Sequence, residues 1–81
     1  MRFTWDPRKN AINARRHGIA FEDAKRIFDG TTVEREDDRF DYGETRVYAI
    51  GLAAGIEFTV IYPDHDDGSR HLISACRAET A

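Results

Sequence analysis

The apolar positions of this chain change period once, near residue 31. Before that point they recur mainly at helical spacing, and beyond it they alternate with polar residues as strands do. At the start, Arg2, Phe3, Thr4 and Trp5 alternate, which predicts a short edge strand with Phe3 and Trp5 on one face. Asp6 then offers a carboxylate to the free amides of a first helical turn, Pro7 suits the first helical position, and Gly18 suits a left-handed cap. The spacing predicts a helix over Pro7–His17, anchored by Trp5 and Ile12. Phe21, Ala24, Ile27 and Phe28 repeat at helical spacing and predict a second, shorter helix that Asp29 and Gly30 stop. Its start is weak, because Ala20 stands where a capping side chain belongs, although Glu22 and Asp23 suit the positive end of the helix dipole.

Four β-type runs follow, at residues 31–36, 45–52, 56–62 and 69–75. The first is the most polar and reads as an edge, and the second reads as central. Ala53, Ala54 and Gly55 make a hairpin connection between the second and third. Short connections between consecutive strands give an antiparallel meander, and its apolar face needs a cover that the two helices can supply. The expected architecture is therefore α+β: two N-terminal helices on a four-stranded antiparallel meander, with a short N-terminal edge strand.

Composition narrows this to one folded domain over residues 1–81. The chain is 41% hydrophobic and 11% aromatic, which is ample for a core, while 81 residues are too few for two independent ones. A lone cysteine, Cys76, excludes an intrachain disulfide. With no signal-peptide pattern and no apolar stretch of membrane-spanning length, the expected location is the cytoplasm, away from membranes. The net charge of −3 conceals a split. Residues 1–30 hold seven Lys and Arg against four Asp and Glu, residues 31–69 hold three against ten, and residues 70–81 hold two against one. Basic termini around an acidic middle suggest one pole for nucleic acid and another for a basic partner, or acidic hairpins that are merely solvated.

The candidate chemistry is that of anion binding. Lys9, Asn13 and His17 fall on one stripe of the first helix, with Arg16 beside it, and such a stripe can hold a phosphate or can satisfy backbone groups where helix meets sheet. Glu44 and Arg46 are two apart and share a strand face, as a base beside a charge clamp or as an inert ion pair. Within one continuous last strand, Arg70, Leu72 and Ser74 would share one face, and His71, Ile73, Ala75 and Arg77 the other. RNA cleavage without a metal needs a base for the 2′-hydroxyl, cations for the phosphorus centre and an acid for the leaving oxygen, and these residues include every required type. His65 among Asp64, Asp66 and Asp67 reads as a solvated acidic turn rather than a metal loop. Cys76 has no evident base, and the glycines at 43, 51 and 55 do not form a phosphate loop.

These residues together resemble the BrnT toxin family of bacterial toxin–antitoxin pairs. The resemblance is carried by Trp5-Asp6-Pro7, Lys9, Asn13, His17-Gly18-Ile19, Phe21-Glu22, Ala24 and Phe28, then Glu44, Arg46, Ile50-Gly51, Ile73-Ser74-Ala75 and Arg77-Ala78. It implies a RelE-like fold and ribonuclease activity that arrests translation, with no cofactor. It also implies a cognate antitoxin that carries a DNA-binding module, so that operator DNA is met only through the complex. A dimer or a heterotetramer with antitoxin is the expected assembly. Glu44, Arg46, His71 and Arg77 are then the expected catalytic group, and Lys9, Arg16, His17 and Arg70 the expected RNA contacts. The chain departs from the family pattern at Cys76 and His71, where arginine is usual, and at Ala20, where serine is common. It also ends without the charged C-terminal segment that family members carry, as a short member or a shortened chain. The competing expectation is a weakened homologue that binds antitoxin and tunes repression without cutting RNA.

Overall fold

The computed structural model describes residues 2–37, 43–63 and 69–77. In chain order these form β1 (Phe3–Trp5), α1 (Pro7–His17), α2 (Phe21–Ala24) continuing as a 3-10 turn (Lys25–Asp29), β2 (Val33–Asp37), β3 (Arg46–Ala53), β4 (Ile56–Pro63), β5 (Arg70–Leu72) and β6 (Ser74–Arg77). The class is α+β, as the pattern predicts. Antiparallel pairing throughout gives a four-stranded sheet of order β2-β3-β4-β6, with β2 at an edge and β3 inside. The acidic turn at residues 64–68 lies outside the described residues, as do residues 38–42.

The last β-type run departs from expectation. It is two strands, broken at Ile73, and they belong to different sheets. β5 pairs in parallel with β1, so that the N-terminal strand gains a partner outside the meander, and the Arg70 amide donates to the Arg2 carbonyl at 2.9 Å. At the break, the Ile73 amide donates to the Ile61 carbonyl at 2.9 Å, and β6 then completes the meander against β4. Each half thereby gains its own partner strand, β1 for β5 and β4 for β6.

Both ends of α1 are built as the sequence predicts. The Asp6 carboxylate accepts from the Arg8 amide at 2.9 Å, and Gly18, at φ 72°, donates its amide to the Ala14 carbonyl at 2.8 Å. The weak start of α2 is met from elsewhere: the Phe21 amide donates to the side-chain oxygen of Asn10 at 2.9 Å, in place of the cap that Ala20 cannot provide. Trp5 does anchor the helical layer, edge-on against Phe21 at 6.0 Å between ring centroids. Ile12 does not; it is 58% exposed, because α1 turns Asn13 rather than Ile12 toward the sheet.

Residues opposite one another in an antiparallel ladder project to the same face, so the register sorts the side chains of the sheet. One face carries the rows Glu34–Ala49–Val60–Ala75, Glu36–Val47–Tyr62 and Gly51–Phe58–Arg77. The helical layer covers it: Ala49, Val60 and Ala75 are fully buried, with Phe21, Ala24, Ile27 and Leu72 in the same core. Gly51 admits the 3-10 turn, since a Cβ there would lie 3.0 Å from both Ile27 Cβ and Thr32 Cγ2. The other face carries Asp37–Arg46–Pro63, Arg35–Tyr48–Ile61–Ser74, Val33–Ile50–Thr59–Cys76 and Leu52–Glu57. No described helix packs on this second face, and Val33 and Leu52 are 54% and 62% exposed.

Candidate functional site

Arg46 opens β3 on the face away from the helices. Its Nε donates to Glu44 Oε1 at 3.4 Å, with 24% of the arginine side chain and 46% of the glutamate side chain exposed. The pair therefore forms, long and open to solvent, although Glu44 lies in the bend before β3 and does not share a strand face with Arg46 as expected. Asp37, which stands opposite Arg46 in the ladder, is buried. Toward the centre of the same face come Tyr48, half-buried, and Arg35, exposed.

The remaining predicted residues do not gather around this pair. Arg77 lies opposite Phe58, five residues along β4 from Pro63, the partner of Arg46. Five residues of strand span roughly 17 Å and reverse the face. Arg77 thus lines a cleft of about 260 Å³ on the helix side, with Asp23 and Arg26. His71 sits on β5, where its Nδ1 is 2.9 Å from the Thr4 hydroxyl of β1. The shared face expected for His71 and Arg77 required one continuous strand, and the break at Ile73 removes it. Lys9, Arg16 and His17 are exposed on α1, in the layer behind the sheet from Arg46.

Arg70 points inward. Its Nη2 donates to Glu34 Oε1 at 3.0 Å, and its guanidinium lies 4.6 Å from the Phe28 ring centre and 5.0 Å from that of Tyr62. The Tyr62 hydroxyl donates to the same Glu34 oxygen at 2.7 Å. Burial, reinforced by the Glu34 carboxylate and opposed by Arg70, pushes the Tyr62 hydroxyl up from 10.0 to about 12. This network ties the edge strand β2, the inner strand β4 and the small sheet together, which is a clamp rather than an anion site.

Among the described residues, no three His, Cys, Asp or Glu side chains gather as a metal-binding group, and no helix is long and apolar enough to cross a membrane. A family model described as the ribonuclease toxin BrnT of type II toxin–antitoxin systems matches residues 5–81. The chain belongs to the BrnT family. A comparison with curated protein sequences returns no match. Among solved structures, the 1.1 Å crystal structure of the Brucella abortus ribonuclease toxin BrnT superposes with a TM-score of 0.71 at 25% identity, covering 99% of both chains.

Several of the residues that carry the BrnT resemblance serve the fold. Asn13 is 6% exposed; its amide donates to the carbonyls of Ile19 at 3.0 Å and Ala75 at 2.8 Å, and its oxygen accepts from the Ala75 amide at 3.2 Å. It is the polar weld between α1 and β6, and of the helix stripe it alone is buried. Gly18 and Gly51 serve cap and close packing. Sequence reasoning missed Asn10 as the surrogate cap and the Glu34–Tyr62–Arg70 network. Only the latter left a signal, a glutamate and an arginine in predicted strands, and nothing in their spacing of 36 residues pairs them.

Proposed function

We propose that this chain is the toxin of a type II toxin–antitoxin system: a cytoplasmic endoribonuclease that cuts RNA without a metal, inhibits translation and is neutralised by a cognate antitoxin. The observation that carries the reading is the contact between Glu44, just before β3, and Arg46, the first residue of β3 on the open face of a BrnT-family sheet. In the reaction, Glu44 takes the proton of a 2′-hydroxyl, the 2′-oxygen bonds to the adjacent phosphorus, and the bond from phosphorus to the 5′-oxygen breaks. The 5′-oxygen leaves with a proton from water, and the other product ends in a 2′,3′-cyclic phosphate. Arg46 offsets the charge that develops on the phosphoryl oxygens, as a planar, permanently charged donor does well. Lys9, Arg16 and His17 add a basic surface outside this centre, which attracts RNA without touching the reacting atoms.

The test is inducible expression in a bacterium with and without the neighbouring antitoxin gene, followed by RNA analysis. Growth arrest with cyclic-phosphate ends, relieved by antitoxin and unaffected by chelation in purified protein, is expected. Arg46→Ala is expected to lower kcat/KM about 100-fold while the melting temperature holds.

One observation favours a second reading. Cys76 lies on the open face in the row next to Tyr48, where family members usually supply an arginine, so this face holds one cation fewer. On that reading the chain is a weakened toxin that binds antitoxin and tunes repression. Absence of RNA cleavage by the chain as it stands, with tight antitoxin binding and cleavage gained in Cys76→Arg, would select it.

A further inference from the structure

β2 reads Val-Glu-Arg-Glu-Asp, an acidic strand by composition, yet alternation divides its charges. Glu34 and Glu36 share the helix-side rows, while Arg35, exposed, and Asp37, buried, stand on the open face. Directly opposite Arg35 is Tyr48, and two residues before Tyr48 on the same strand and face is Arg46. Tyr48 therefore has one arginine opposite it in the ladder and another two residues before it, all three on the face that no described helix covers.

A ring flanked by cations matches single-stranded nucleic acid, whose flat bases stack and whose phosphates pair with guanidinium groups. A protein partner would favour the other end of this face, where Val33, Ile50 and Leu52 stand. We infer that Tyr48 and Arg35 form the subsite that seats single-stranded RNA beside Arg46, Tyr48 stacking a base and Arg35 pairing with a neighbouring phosphate. This rests on the ribonuclease reading above and names where its substrate lies. The subsite holds RNA without moving protons, so its signature is in binding and KM rather than in kcat.

The decisive measurement is binding of a fluorescein-labelled 2′-O-methyl RNA of randomised sequence, which lacks the hydroxyl needed for cleavage. Wild type is compared with Tyr48→Phe, Tyr48→Ala and Arg35→Ala, alongside cleavage kinetics on unmodified RNA and thermal melts. Tyr48→Phe keeps the ring and is expected to bind within about twofold of wild type, whereas Tyr48→Ala loses about tenfold. Arg35→Ala weakens binding and lowers the slope of log affinity against log salt by about 0.7, the loss of one phosphate contact. In both weakened variants KM rises and kcat holds. Wild-type affinity in Tyr48→Ala and Arg35→Ala, with Arg46→Ala inactive, would overturn the subsite and leave the ribonuclease reading intact. Loss of antitoxin binding in these variants with RNA affinity unchanged would overturn it in favour of a protein interface. If the wild-type chain neither binds nor cuts RNA, the reading beneath it fails as well.

Discussion

The two faces of the four-stranded sheet use the same strands for opposite ends. On the helix side, Ala49, Val60 and Ala75 are sealed under the helices, and the polar side chains that reach in are tied down: Asn13 to three backbone groups, Arg70 and Tyr62 to Glu34. On the open side, Arg46 makes a long contact at 3.4 Å with an exposed Glu44, and Val33 and Leu52 face outward. A cation satisfied by close partners contributes to the fold and is a poor receiver for a ligand's charge. One held loosely at the surface contributes little to stability and remains able to exchange partners. The difference teaches that residue type alone does not mark a site in this fold; the face does.

The sharpest way to break this contrast is Asn13→Ala, which strands a buried carbonyl on each side and a buried amide. A loss of about 3 kcal/mol in urea unfolding is expected; a loss within experimental error would mean that the weld between helix and sheet is not what holds α1. Next comes Gly51→Ala, where the added carbon meets Ile27 and Thr32 at 3.0 Å. Overpacking of this kind costs about 1–3 kcal/mol, readable as a lower melting temperature.

The Glu34–Tyr62 bond gives a pH-dependent comparison. Folded Tyr62 holds its proton to about 12 against 10.0 for a free tyrosine, so its contribution to stability is full below pH 10 and fades as pH rises through 12. Wild type and Tyr62→Phe should therefore converge in stability over that interval; a gap that stays constant would exclude the linkage. The smallest effect is expected on the open face. Leu52→Ser should change stability by no more than about 0.5 kcal/mol, and a larger loss would show that this face is packed after all.

Much of the fold was legible in the sequence because it rests on local rules. Asp6, Pro7 and Gly18 bound α1 through hydrogen bonds and φ preferences that act within a few residues. The hairpin formed where Ala54 and Gly55 stand, both with positive φ, 52° and 77°. The last strand was less legible. Residues 69–75 read as one β-type run, but the partner of β5 is β1, about 67 residues away, as the Thr4–His71 contact records. No local pattern announces that choice, and with it went the expected convergence of His71 and Arg77. The candidate site divided in the same way. Glu44 and Arg46 are neighbours in sequence and were paired correctly, whereas Arg70, read as an RNA contact, was claimed by Glu34 and Tyr62 from distant strands.

By itself, then, the sequence determined the α+β class, the ends of α1, and the contact between Glu44 and Arg46, which depend on interactions over a few residues; it also carried the family resemblance. Tertiary structure decided which face of the sheet the helices would cover. Because alternation sends every second side chain to the covered side, that one choice placed Tyr62 beside Glu34, and the separate pairing of β5 with β1 brought Arg70 to them. It left Arg35, Tyr48 and Arg46 on the face that no described helix covers.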